Sequence, residues 1–173
     1  AAPLPPPEGP PPGDDPEFPG KPLAGRKFVE SFAGDPKFGG GTLSKCWEQA
    51  GGEAVQRDIV IESHNFLKDN AFWKKEVRDP ADAYGFAPPC TTFSTAHTTP
   101  VLRSTAAPQG DESNPKVAEA NEIVLVMVKR VLALLAMGAH IVIENPLMSY
   151  MWLLDSVRLV LGLPGIHVVR INQ

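Results

Sequence analysis

Cysteine is scarce in this chain of 173 residues: only Cys46 and Cys90 occur, far apart and without CxxC spacing. That excludes a disulfide framework and a structural zinc site as organising themes and makes an intracellular, reducing compartment the expectation, nucleus and cytoplasm not being distinguished. Long hydrophobic runs are missing as well. The longest, IVLVMVKRVLALLAM, is broken by Lys129 and Arg130 and falls short of the roughly 20 residues a bilayer span requires, so no membrane partner is expected. Nor is there an excess of positive charge. Sixteen Lys and Arg stand against 20 Asp and Glu, for a net charge of -4 and a pI near 5.6. Phosphate-binding surfaces leave a basic footprint, so any nucleic-acid contact has to be local or supplied from elsewhere. HExxH, acid-cluster and GxxxxGK[ST] patterns are absent from the sequence, which disfavours a catalytic metal or a P-loop and leaves no metal ligands to assign. The N-terminus has neither an initiator Met nor a basic-then-apolar leader, so a fragment or processed product is expected.

Proline, by contrast, is abundant and concentrated. About half of the 19 prolines fall in AAPLPPPEGPPPGDDPEFPGKP, a segment with too few bulky apolar residues to offset the entropy of ordering. Residues 1–26 are read as an extended, polyproline-like or disordered arm. It is either a plain linker or a ligand for SH3 or WW type domains. The remainder is long enough for one domain with a real core.

From Lys27 the pattern alternates between short strands and helical periods. RKFVESF reads as a first strand ending near Phe32. Thr42 is expected to cap a helix whose apolar residues Leu43, Cys46, Trp47 and Ala50 lie at i, i+3, i+4 and i+7, with Gly51 and Gly52 as its stop. EAVQRDIVI is a second strand, SHNFLKDNAFWKKEV an amphipathic segment of open type, and ADAYGFA a third strand running into Pro88 and Pro89. Asn114 followed by Pro115 opens a long helix that stops at Gly138. HIVIEN is nearly all apolar, as expected of a strand buried on both faces. SYMWLLDSVRLVLG is helical and IHVVRIN is a last strand. This alternation predicts an α/β fold built on a doubly wound, mostly parallel sheet.

Ligands of such sheets bind beyond the carboxyl ends of the strands, which singles out four places. The first is Phe32, Ala33 and Gly34 leading to Gly39, Gly40 and Gly41, where glycines admit close backbone approach to a ligand. Asp58, toward the end of the second strand, is able to accept hydrogen bonds from ribose hydroxyls. The third is APPCTTFSTAH. Two prolines force an extended turn that holds Cys90 at the sheet rim, where it is either a small buried hydrophobe or a nucleophile. In the fourth, Glu144 of IENP ends an apolar strand with a carboxylate that is costly unless paired or used. The four histidines are scattered, and only His97, seven residues after Cys90, is kept as a distant base candidate.

Taken together, FAG with its following glycines, PPCTTFS and IENP, in that chain order, resemble the cytosine-C5 DNA methyltransferase family, in the version carried by phages and mobile elements. The resemblance covers about residues 27–173. It implies a Rossmann-like, S-adenosylmethionine-dependent methyltransferase domain, truncated before the target-recognition region. Phe32, Ala33, Gly34, Gly39, Gly40 and Pro89 would be cofactor contacts and Asp58, or alternatively Glu62, the ribose acid. Cys90 would be the nucleophile and Glu144 its acidic partner. Thr91, Thr92, Ser94 and Asn145 would be contacts to DNA, from which the target cytosine is flipped out. A catalytically inactive remnant or interaction module with the same fold, and a tRNA cytosine methylase, are the alternatives.

Overall fold

A computed structural model describes residues 22–35, 37, 40–62, 65–95 and 102–170. Most of the expected arm, together with Gly39 and His97, lies outside them, as do the side chain of Glu62 and residues 171–173. Four strands form an all-parallel sheet in the order β2-β1-β3-β4, with β1 Lys27–Ser31, β2 Glu53–Arg57, β3 Ala83–Phe86 and β4 His140–Ile143. The helices are α1 Thr42–Gln49, α2 Ile59–Glu62, α3 Asn70–Arg78, α4 Pro115–Ala136 and α5 Asp155–Leu161, with a 3-10 turn at Tyr150–Leu153. The chain is therefore an α/β fold. No helix among the described residues is long and apolar enough to cross a membrane.

Strand alternation sorts the side chains onto two layers. On one face Phe28 stacks on Trp47 of α1, ring centroids 5.2 Å apart, and Glu30 reaches Ser44 of the same helix. The other face carries Val29, Tyr84 and Phe86 into the main core with Phe66, Trp73, Met127, Val128 and Val131 of α3, α4 and the connecting segments. Each of those large apolar side chains contributes about 2 kcal/mol by leaving water. Tyr84 is fully buried because its hydroxyl is satisfied twice, donating to Glu76 and accepting from the Ala81 amide at 2.7 Å. Burial, and then the Glu76 carboxylate, push its titration up.

Five expectations are corrected here. Helix α1 is entered from Gly41, whose φ of 72° is left-handed, so Thr42 is its first residue rather than its cap. Its buried side is also rotated: Ser44 is buried while Leu43 and Cys46 are exposed. The cause is Glu30, whose carboxylate accepts from both the amide and the hydroxyl of Ser44 and draws that position inward. The second strand ends at Arg57, and Ile59–Glu62 turns into a helix. Finally, among the described residues β4 is an edge strand with alternate residues exposed, and the described part of the expected last strand, residues 166–170, does not pair: Val168 and Val169 are 71% and 77% exposed. A run of β-branched residues becomes a strand only where a neighbour takes up its hydrogen bonds.

The amino end of the sheet is stitched by Asp82, which accepts from the Lys27 amide at 2.8 Å and from Arg26 at 2.6 Å. The Lys27 hydrogen bond first, and Arg26 second, hold its carboxyl below the ordinary value. A folded value below the unfolded one stabilises at pH above the normal carboxylate range and is lost as pH falls through the lowered value. Asp82→Asn should therefore lower the urea midpoint at about pH 7 and make little difference at about pH 2. Urea titrations of both proteins at the two pH values check this; an equal gap at both would exclude the carboxylate as the cause.

Candidate active site at the carboxyl edge of the sheet

The strand order contains one reversal. The chain steps from β1 to β2 on one side, then returns to place β3 and β4 on the other side of β1. In open α/β sheets ligands bind at such a reversal, which here falls between the carboxyl ends of β1 and β3. The sequence-derived places gather along this edge, in two groups.

The first group joins β1 to β2. Phe32 ends β1 in the left-handed region at φ 61°, a conformation that costs a bulky residue about 1–2 kcal/mol. It is held there by its amide on the Arg57 carbonyl at 2.8 Å and by its ring on Phe66, 4.5 Å between centroids. The reversal lays Ala33 and Gly34 across the sheet edge. Gly34 donates its amide to Asp58 at 3.0 Å, and the other Asp58 oxygen accepts from Val60 at 3.0 Å. Each carboxylate oxygen keeps a further lone pair for a ligand hydroxyl. The loop closes on itself, Gly41 donating to the Ala33 carbonyl at 2.7 Å and Gly40 to that of Asp35 at 3.0 Å. Glycine is obligatory at 40: a Cβ there would lie 2.5 Å from the Gly34 carbonyl carbon and 2.6 Å from the Ala33 oxygen. Beside Asp58, Ile59 and Val60 stand 62% and 61% exposed, an apolar surface next to a carboxylate.

The second group joins β3 to β4. Ala87 is tied to the Ser31 carbonyl at 3.3 Å, Pro88 is buried and Pro89 exposed. The Cys90 carbonyl accepts from Phe93 at 2.9 Å and Ser94 at 2.8 Å, so Cys90 opens a tight turn and is itself partly exposed. On the neighbouring strand, Glu144 donates its amide to the Phe86 carbonyl at 2.9 Å and its side chain is exposed. Asn145 turns inward and donates to the Pro88 carbonyl at 3.0 Å. Tyr150 donates to the Phe93 carbonyl at 2.9 Å. These bonds fasten the Pro-Pro-Cys turn to the segment that carries Glu144.

Not every expected contact is available. Thr91 is exposed and Ser94 partly so, but Thr92 is buried and its hydroxyl accepts from Arg103 at 3.0 Å. Asn145 is likewise interior, its Oδ1 buried with no partner among the described residues. Both are parts of the scaffold rather than of a DNA-facing surface. Gly39 lies outside the described residues. Two features were missed in the sequence. Ile59 and Val60 were assigned to a strand interior, although an apolar pair directly after a strand-end acid is itself a signal. Arg103, buried behind Thr92, carries no local pattern that would reveal it. Among the described residues no three His, Cys, Asp or Glu side chains gather as a metal site. Comparison with family models, with curated proteins and with solved structures finds no match for the chain.

Proposed function

We propose that this protein transfers a methyl group from S-adenosylmethionine to carbon 5 of cytosine in DNA, through a covalent adduct on Cys90. The observation that carries the reading is the gathering of the glycine turn, Asp58, Cys90 and Glu144 on one edge of a parallel sheet, at its strand-order reversal. The order β2-β1-β3-β4 fits the doubly wound, Rossmann-like sheet of a methyltransferase. The residues present fit the cofactor. Asp58 retains acceptor capacity for ribose hydroxyls, Ile59 and Val60 offer exposed apolar side chains for adenine, and the Phe32–Gly34 turn would let backbone approach the amino-acid end.

Carbon 5 of cytosine is too electron-poor to take a methyl group directly. The Cys90 thiolate adds to carbon 6, forming a C–S bond and turning the ring into an enamine. Glu144 holds the ring N3 and the exocyclic amine so that protonation at N3 accompanies addition. When bound, S-adenosylmethionine would supply an electrophilic methyl group for carbon 5, its sulfonium leaving as the neutral thioether S-adenosylhomocysteine. Loss of the carbon 5 proton then returns the electron pair to the ring and expels the cysteine. Thr91 and Ser94 flank this turn as phosphate contacts.

The test is covalent trapping. Duplex DNA and tRNA, each containing 5-fluorocytosine, are incubated with the protein and S-adenosylmethionine, because fluorine at carbon 5 blocks the last step. A denaturation-resistant adduct on the duplex is expected. An adduct on tRNA alone would change the polymer, and none on either would leave the fold as a remnant or interaction module.

A further inference from the structure

Arg103 is 3% exposed, although it lies in a loop between the Cys90 turn and α4. No carboxylate stands within ion-pair distance of it among the described residues. Burying a guanidinium without a direct ion pair is costly, and it persists only where its donors are satisfied; the Glu112 carboxylate acts on this one from a distance, beyond Asn121. Here the donors are satisfied by backbone and neutral side chains. Nε donates to the Thr92 carbonyl at 3.0 Å and Nη2 to the Thr92 hydroxyl at 3.0 Å, a two-pronged grip on one residue. Nη1 donates to the carbonyls of Pro108 at 2.9 Å and Gln109 at 2.7 Å and to Asn121 at 2.7 Å, and Nη2 also reaches Val117 at 3.3 Å. Asn121 passes the contact on to Glu112 at 2.8 Å. The guanidinium plane covers Phe93, its carbon 3.8 Å from the ring centroid.

Thr92 and Phe93 are the second and third residues after Cys90 in its turn, and the Phe93 amide closes that turn on the Cys90 carbonyl. Upstream, Pro88 is held by Asn145. We infer that Arg103 is the positioning residue of the Cys90 turn, locking its downstream half to α4 and the 108–109 loop as Asn145 locks its upstream half to β4. The inference rests on reading Cys90 as the reacting group. Lysine cannot replace arginine here, since one ammonium cannot reach two atoms of Thr92, the loop carbonyls and the Phe93 face together.

Arg103→Lys tests this in the full chain by amide hydrogen exchange and by trapping. Exchange at Phe93 and Ser94 is expected to rise about tenfold, the scale of one lost charge-assisted hydrogen bond, while β1 and β3 amides stay protected. The maximal trapping rate on 5-fluorocytosine DNA should fall by about 30-fold or more, as misplacement of a reacting group costs, with cofactor affinity by calorimetry unchanged. If turn and sheet amides rise together, or none changes, Arg103 is a general stabiliser and the inference fails. Should Arg103→Lys not fold, Thr92→Val removes one prong at constant shape and is expected to give the same selective rise; no rise at Phe93 and Ser94 overturns the inference. Where the wild-type protein traps nothing, the methyltransferase reading fails, and the exchange comparison still decides whether Arg103 holds the turn.

Discussion

Cys90→Ser should abolish adduct formation on 5-fluorocytosine DNA, and Cys46→Ser should leave it intact. In the proposed mechanism the reacting species is a thiolate, which serine does not provide near neutral pH, so the trapping rate is expected to drop at least about 10³-fold, as removal of a nucleophile does in other enzymes. Folding should not follow activity. The turn at this position is closed through the Cys90 carbonyl, which accepts from Phe93 and Ser94, and serine retains that carbonyl. The thermal midpoints of both variants should therefore match the wild type. Cys46 serves as the internal control because it is exposed on α1, away from the strand ends. An adduct that survives Cys90→Ser would remove this residue from the mechanism, and one lost equally in Cys46→Ser would point to general thiol damage. A time course of denaturation-resistant gel shift, alongside thermal melts, separates these outcomes.

How much was legible in the sequence follows from how local each signal is. The start of α4 is written in Asn114 and Pro115 themselves: the Asn114 side chain accepts from the Lys116 amide at 3.0 Å, and proline sits where no amide donor is needed. The ends of β1 and β3 are equally local, set by a glycine turn and by two prolines. What depends on a partner was misread. The face that α1 buries is decided by Glu30, a charged residue in a strand interior that helical periodicity alone would ignore. Residues 166–170 have strand composition, yet pairing is decided by a neighbouring edge. The candidate site divides the same way. Cys90, Glu144 and Asp58 announce themselves because chemistry-bearing residues fall at strand ends. Arg103 does not, because hydropathy places an arginine in a polar loop on the surface, and only the fold brings Thr92, Phe93 and α4 around it.

Gly40→Ala should be the most damaging methyl group that can be added at the described glycines of the loop, Gly34, Gly40 and Gly41. The added carbon would stand 2.5 Å from the Gly34 carbonyl carbon, 2.6 Å from the Gly34 oxygen and 2.6 Å from the Ala33 oxygen. All three atoms are backbone, so no side chain can swing aside. Relief requires the Phe32–Gly34 reversal to lift from the sheet edge, which weakens the Gly41 to Ala33 hydrogen bond and drags the Gly34 amide away from Asp58. The expected loss is about 3 kcal/mol, the upper range for overpacking a closed site, or about 6–12 °C in thermal midpoint for a domain of this size. Gly138→Ala is the matched control: nothing lies within 4 Å of the position, but its φ is 83°. Only left-handed strain applies there, about 1–2 kcal/mol. The two variants should also part in ligand binding. Gly40→Ala disrupts the turn that holds Asp58, so S-adenosylmethionine affinity by calorimetry should fall by about tenfold or more, the scale of losing one charge-assisted hydrogen bond. Gly138→Ala, at the end of α4, should leave that affinity unchanged. A Gly40→Ala protein that binds the cofactor as tightly as the wild type would separate the glycine loop from the cofactor site.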